Sequence, residues 1–318
     1  MQLIDVFNGD ADGLCALHQL RLDEPAESAL VTGPKRDISL LKRVNARAGD
    51  RITVLDIALS KNRDALDRLL AAGAQVRYFD HHQPGDIPKH PNFEPHIDTD
   101  ANVCTSLLVN RHLQGRRLAW AVAAAFGDNM AAAARQAAAP LGLSGSQLAE
   151  LQTLGECLNY NGYGESLDDL FFDPAELYRL LRPFADPFAF IAEAPAYQTL
   201  KSGYQNDMAR AVAVSAAETH ETGRIFMLPA EKWARRISGV FGNRLAVESP
   251  TQAHAVLTAK PEGGYVVSVR APLATQSGAD ELCGQFETGG GRKGAAGINH
   301  LSEAELGRFV SLFFKTYG

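Results

Sequence analysis

Four short stretches carry carboxylates and imidazoles in a pattern that could hold metal ions. They are Asn8-Gly9-Asp10-Ala11-Asp12-Gly13, Asp56, Asp80-His81-His82, and Asp128 in Phe126-Gly127-Asp128-Asn129. Taken singly, each has an ordinary explanation. Asp10 or Asp12 could cap a helix N-terminus, Asp56 could begin a turn, and a histidine after a strand is usually structural or solvated. Their coincidence is what calls for chemistry. Unpaired carboxylates gathered in one place repel one another strongly at low dielectric, and a divalent cation removes that cost. An oxygen-rich set with one or two imidazoles suits Mn²⁺ or Mg²⁺ better than Zn²⁺, Co²⁺ or Fe²⁺.

Convergence depends on the elements that carry these residues. Leu3–Phe7 is a short apolar run, followed after a turn by Leu14, Leu17 and Leu20 at helical spacing. Ser28–Val31, Ile52–Leu55 and Gln75–Phe79 are further candidate strands, and Lys61–Ala72 is an amphipathic helix ended by Gly73. Strands alternating with helices predict a parallel sheet covered on both faces. In that architecture the first motif, Asp56 and the Asp-His-His run all emerge at the C-terminal sheet edge, where ligands bind. Residues 107–204 are helical and Ala/Leu-rich, with a break at Pro183 and Pro187 and a loop by composition at Asn159–Gly164. A connecting helix is expected from Thr199 to about Thr219. Beyond it Arg224–Leu228, Ala253–Ala259 and Tyr265–Arg270 read as strands, the last two flanking a hairpin signal at Pro261–Gly264. Trp233–Ala246 and Glu303–Phe314 read as helices. The expected fold is α/β: a parallel, doubly wound domain over residues 1–200, a helical linker over 201–220, and a smaller α/β domain over 221–318.

Bulk properties narrow the classes. A chain of 318 residues suggests two domains. Net charge is −6, so no basic footprint calls for long duplex nucleic acid. No apolar run is long enough to span a membrane, and the N-terminus lacks the pattern of a signal peptide. The four cysteines, Cys15, Cys104, Cys157 and Cys283, lie far apart and form no CxxC pair. A reduced, cytoplasmic protein is the expectation.

The motifs resemble those of the DHH phosphoesterase superfamily, which includes RecJ-type exonucleases, nanoRNases, cyclic-dinucleotide phosphodiesterases and family II pyrophosphatases. Asp80-His81-His82 matches the motif that names the family, and Asn8–Gly13 is similar to its first motif, HxDxDG. Asp56 matches the bridging Asp of the second motif and Asp128 the Asp of the fourth, with Asp98 and Asp100 as runners-up for that last role. Gly289-Gly290-Gly291-Arg292-Lys293-Gly294-Ala295-Ala296-Gly297 resembles the GGGH…AAG signature of the DHH-associated domain. Two positions depart from the pattern. Asn8 stands where the family has a His ligand of one metal, and Asn is a weaker, neutral ligand, so occupancy of that first site is open. Arg292 stands where the glycine signature has His, and its planar fork suits phosphate oxygens.

The resemblance implies two divalent ions. Asp10 and Asp56, with Asn8, would hold one; Asp12, Asp56, His81 and Asp128 would hold the other, with Asp56 bridging. The pair would activate a shared water and stabilise attacking and leaving oxygens. His82 would bind phosphate or donate a proton, and Asp80 would orient an imidazole. Arg292 and Lys293 would grip a terminal phosphate, the amides of Gly289–Gly291 approaching closely; Lys35 and Arg36 are further candidates to face the substrate.

The implied reaction is hydrolysis of short oligonucleotides or small nucleotide phosphodiesters to nucleoside monophosphates. A 3′,5′-bisphosphonucleotide and a cyclic or linear dinucleotide are alternative substrates. No aromatic-rich basic stretch supports a processive exonuclease. A catalytically silent nucleotide-binding regulator is the reading of another class, motivated by Asn8 and Arg292. A homodimer is left open.

Overall fold

The register of three strands decides where the acidic residues stand. The computed structural model describes residues 1–318. β1 (Leu3–Phe7) is followed by α1 (Ala11–Asp23), β2 (Ala29–Val31), β3 (Arg51–Leu55), α2 (Leu59–Ala71), β4 (Gln75–Asp80) and β5 (Phe93–Ile97). These five strands form one sheet in the order β2-β1-β3-β4-β5, every neighbouring pair parallel. Phe7 pairs with Leu55, and Leu55 with Phe79. One rung further, the Asn8 amide donates to the Leu55 carbonyl at 3.2 Å and the Asp56 amide to the Phe79 carbonyl at 3.0 Å. Asn8, Asp56 and Asp80 therefore stand side by side at one edge. The strand order reverses between β1 and β3, the switch point where open α/β sheets bind ligands.

Both sheet faces are covered. Ile4, Val6, Ile52, Val54, Val76 and Tyr78 pack with Leu66, Leu69 and Leu70 of α2. On the opposite face α1 is buried from Ala11 to Leu20, and its Arg21 donates to both oxygens of the buried Asp5, at 2.5 and 2.8 Å. Strands buried on both sides read as continuous apolar runs, which is why β1, β3 and β4 were detectable by pattern. β5 escapes that reading because Pro95 interrupts it. It is an edge strand, where proline is tolerated.

After β5 the chain is helical: α3 (Thr105–His112), α4 (Leu118–Gly127), α5 (Ala131–Ala138), α6 (Gly145–Gly162), α7 (Pro174–Leu181), α8 (Pro187–Glu193) and α9 (Pro195–Val212), the last running past Gly203 into the second unit. The alanines of α4 let it pack closely against α1 and α6. The loop expected at Asn159–Gly164 is corrected: residues 159–162 are the last turn of α6. Tertiary bonds overrule composition here. Asn161 accepts from the amides of Phe171 and Phe172, both at 3.1 Å, and donates to the Phe172 carbonyl at 2.9 Å. The connecting helix also differs in extent, since α9 ends at Val212 and Glu218–His220 is already a strand.

Met1–Gly203 and Tyr204–Gly318 form two compact units. The second contains β6 (Glu218–His220), β7 (Gly223–Leu228), α10 (Lys232–Glu248), β8 (Ala253–Ala259), β9 (Tyr265–Arg270), α11 (Ala279–Cys283), β10 (Gly289–Arg292), β11 (Ala295–Leu301) and α12 (Leu306–Tyr317). Its six-stranded sheet runs β10-β11-β9-β8-β7-β6, with only β7 and β8 parallel. Ile225, Leu257, Val267 and Ile298 form its core with Phe309 and Phe313 of α12. The glycine stretch is a strand of this sheet, paired antiparallel with β11. No helix is long and apolar enough to cross a membrane.

Candidate metal centre

At the C-terminal edge of the first sheet, His81 is the hub. Its Nδ1 lies 3.0 Å from the Val103 carbonyl, which accepts the ring proton and leaves Nε2 as a bare ligand nitrogen. Nε2 lies 3.5 Å from Asp56 Oδ1, 3.7 Å from Asp128 Oδ2 and 4.0 Å from Asp12 Oδ2. Octahedral ligands about 2.1 Å from an ion stand about 3 Å apart when adjacent and about 4.2 Å apart when opposite. The observed separations fall within that range. Asp12, His81 and Asp128 form one group whose ligand atoms all lie within 4.8 Å of one another, and Asp56, His81 and His82 form another. The donor set fits a divalent cation that prefers oxygen.

Each carboxylate is held by a different device. Asp12 takes the amides of Thr105 and Ser106 on its two oxygens, both at 2.7 Å, so the N-terminus of α3 clamps it. The Ser106 hydroxyl adds a bond to the Asp12 carbonyl at 2.8 Å. Asp56 accepts from the Thr105 hydroxyl at 3.1 Å, and its backbone has φ = 59°, the left-handed region. A non-glycine residue there costs about 1 kcal/mol, and such strain clusters at functional sites. Asp128 caps the C-terminus of α4. Sequence reasoning missed Thr105 and Ser106, which bond to Asp12 and Asp56; their serine and threonine character at a helix start was the available signal.

Asp10 behaves differently. Its Oδ1 caps α1 by accepting from the amides of Asp12 and Gly13, at 3.0 and 3.1 Å. Its Oδ2 lies 2.6 Å from Lys35 Nζ. Asp10 thus belongs to neither potential ligand group. Asn8 has its Nδ2 3.5 Å from the Lys35 carbonyl, and its Oδ1 is buried without a partner. In place of a cation free to meet substrate, Lys35 is fully engaged by protein oxygens. Arg36 pairs with Glu165 at 3.6 Å. Asp98 pairs with Arg111 at 2.9 Å, and Asp100 caps its own turn.

His82 completes the edge. Its Nδ1 is 2.7 Å from Oδ1 of the fully buried Asp80, which orients the ring.

The electrostatics match an acidic site. Burial, then the charges of Asp10, Asp12, Asp128 and Asp80, push the Asp56 carboxyl well above the usual carboxylate range. Burial also raises Asp128, with Asp12 and Asp10 adding to the rise against the pull of Lys35. For Asp10, burial pushes upward, but Lys35 and the Gly13 amide outweigh it and the net shift is downward. A bound dication reverses this logic for Asp56 and Asp128 by rewarding the charged forms.

In the second unit, Arg292 ends β10 and Lys293 follows it in the turn to β11; both are exposed. The Gly289 amide donates to the Phe286 carbonyl at 2.9 Å, so it is already used inside the fold.

No protein-family model matches the chain, and no curated protein matches it. Solved structures do. The chain is similar to the DHH domain of a member of the s1p family of ribosomal proteins, at 14% identity and TM-score 0.65, covering 99% of this chain and 86% of that one. It is similar to exonuclease RecJ bound to manganese, at 17% identity and TM-score 0.63, covering 99% and 90%. It also aligns with the pGpG-specific phosphodiesterase PggH from Vibrio cholerae, at 15% identity and TM-score 0.63, covering 100% of both chains. The chain therefore has the fold shared by these DHH-domain proteins.

Proposed function

We propose that this chain is a divalent-cation-dependent phosphoesterase acting on short oligonucleotides or small nucleotide phosphodiesters and releasing nucleoside monophosphates. The observation that carries this reading is the convergence of Asp12, Asp56 and Asp128 on His81 Nε2, within 4.0 Å of it. A divalent cation held by these residues supplies Lewis acidity toward a phosphate ester and lowers the pKa of water. Mn²⁺ is the favoured ion, with Mg²⁺ next, on the chemistry of the donor set.

The chain's own residues supply the rest. The amides of Thr105 and Ser106 hold both oxygens of Asp12 and orient it. His82, steadied by Asp80, presents Nε2 to bind a phosphate oxygen or to protonate the leaving group. Arg292 and Lys293 bind a terminal phosphate of the substrate. Net charge of −6 disfavours long polyanionic strands and supports a small substrate. The end-to-end likeness to a phosphodiesterase of pGpG supports linear dinucleotides as the first substrates to try.

The test is hydrolysis with added Mn²⁺ across pGpG, other linear dinucleotides, cyclic dinucleotides, tri- to pentanucleotides and 3′,5′-bisphosphonucleotides. Mn²⁺-dependent release of mononucleotides by the wild type, lost in Asp56→Ala with its fold intact, is the expected result. Tight nucleotide binding with no turnover of any member would overturn the reading in favour of a silent binder.

A further inference from the structure

We propose that the ammonium of Lys35 takes the place of one of the two cations, so that the first unit holds a single divalent ion on Asp12, Asp56, His81 and Asp128. The proposal rests on the phosphoesterase reading for the nature of the site and changes its composition.

An ammonium group has three N–H donors. Lys35 Nζ has three oxygens to receive them: Asp10 Oδ2 at 2.6 Å, Asn159 Oδ1 at 3.1 Å and Asp128 Oδ1 at 3.4 Å. The ring of Tyr163 adds a cation–π face at 5.7 Å. The lysine is also placed by its backbone. Its amide donates to the Gly162 carbonyl at 2.8 Å, so the last turn of α6 carries Lys35's anchor and Asn159 together. Gly9 lets the chain segment leading to Lys35 approach, because a Cβ on Gly9 would overlap the Gly33 carbonyl. This is a built receptor for a monovalent cation on a tether.

The same residues do not fit a second dication. Asp10 has spent one oxygen on two helix amides and the other on Lys35. A dication on Asp10 Oδ2 would have to face or displace the ammonium. Besides Asp56, which is shared with the other ligand set, what remains at that end is the neutral Asn8, whose buried Oδ1 is a single weak ligand. The two features explain each other: a neutral side chain at position 8 leaves Asp10's charge to Lys35, and Lys35 removes the need for a metal there. One carboxylate links the two halves. Asp128 faces Lys35 with Oδ1 and His81 with Oδ2, at 3.4 and 3.7 Å. Lys35 is in this sense a positioning residue for the ion it neighbours.

The test uses the full chain and Mn²⁺ alone as the probe, read by equilibrium dialysis with elemental analysis and by electron paramagnetic resonance. The expected result is one tightly bound Mn²⁺ per chain with the hyperfine pattern of an isolated ion. Two Mn²⁺ per chain, or an exchange-coupled spectrum, would overturn this proposal and leave the phosphoesterase reading standing. No bound Mn²⁺ at all would sink both. A double variant, Asn8→His with Lys35→Met, is expected to rise to two Mn²⁺ per chain, while Lys35→Arg stays at one. A folded double variant that still binds one would count against the substitution of lysine for metal. Should the double variant fail to fold, the wild-type stoichiometry and spectrum decide the matter.

Discussion

The amide of Thr105 stands 2.7 Å from Oδ2 of Asp12, a residue 93 positions earlier in the chain. With the Ser106 amide on Oδ1, this bond makes Asp12 an acceptor on both oxygens. Asp56 lacks any backbone donor of that kind and sits among like charges in a strained backbone. Two aspartates of one site thus have opposite standing in the metal-free protein.

Asp12→Asn and Asp56→Asn are expected to move stability in opposite directions. An amide NH₂ at position 12 must face a backbone N–H, which costs about 1–3 kcal/mol. At position 56 the folded carboxyl lies above its unfolded value, so it weakens the fold as pH rises past about 4. Asparagine removes that penalty and tolerates positive φ. Metal-free melting at pH 8 should fall for Asp12→Asn and rise for Asp56→Asn, and both variants should lose phosphoesterase activity. With opposite expectations, a shared direction would be decisive against this account.

Mn²⁺ should raise the melting temperature of the wild type. At a hundredfold excess over its dissociation constant an ion contributes about 2.7 kcal/mol, or roughly 5–10 °C for a unit of this size. His81→Asn keeps a donor for the Val103 carbonyl and loses Nε2. It should melt near the wild type without metal and gain at most a degree or two with it. Scanning calorimetry with and without Mn²⁺ checks both halves.

Much of this site was legible because three adjacent strands end level, and a short apolar strand followed by acidic residues is a local signal. Asp10, Asp12, Asp56, Asp80 and His81 could be grouped from that alone. What was hidden depends on tertiary partners. Nothing local to Thr105 says that its amide meets Asp12. Asn159 and Gly162 sit in a stretch whose composition reads as loop, although Asn161's bonds hold it helical. Lys35 was a candidate to face the substrate, and only the tertiary structure reveals the three oxygens that engage it instead. The glycines at 289–291 resembled a phosphate-binding signature, yet at 289 and 291 the absent side chains serve packing. Pro95 concealed β5, which needed only an edge to exist.

Asp80→Asn should slow turnover by about 10–100-fold with little change in KM, the usual cost of removing a histidine's orienting carboxylate. An amide at position 80 donates to His82 Nδ1, inverts the tautomer and spoils the role of Nε2. The pH profile of kcat should shift as well. A change confined to KM would assign His82 to ground-state binding instead.

Acid should weaken the first unit through His18. Its ring is buried, with Nε2 2.8 Å from the Phe184 carbonyl and its edge on Trp120 at 4.7 Å. Burial lowers its pKa to about 4, and Arg117 adds to this against the Phe184 bond. The unfolded chain titrates near 6.5 and so binds the extra proton first. Stability is whole above about pH 6.5 and falls by about 1.4 kcal/mol per pH unit down to about 4. His18→Gln should flatten that slope in melting curves between pH 7 and 4. An unchanged slope would move the acid sensitivity to the carboxylates.

The glycine strand separates a packing role from a substrate role residue by residue. A Cβ on Gly289 would overlap the Cys283 carbonyl, and one on Gly291, at φ = 152°, would overlap Ala296. Alanine at either position should destabilise the second unit by about 3 kcal/mol or more. Gly290 has nothing within 4 Å of such a Cβ, so Gly290→Ala should fold normally. If a substrate phosphate comes close to this strand, the added methyl group raises KM about tenfold or more while melting is unchanged. If KM holds in Gly290→Ala and rises only in Arg292→Ala, the side chain binds the phosphate and the glycine amides do not. That outcome fits the structure's use of the Gly289 amide, which the Phe286 carbonyl already occupies.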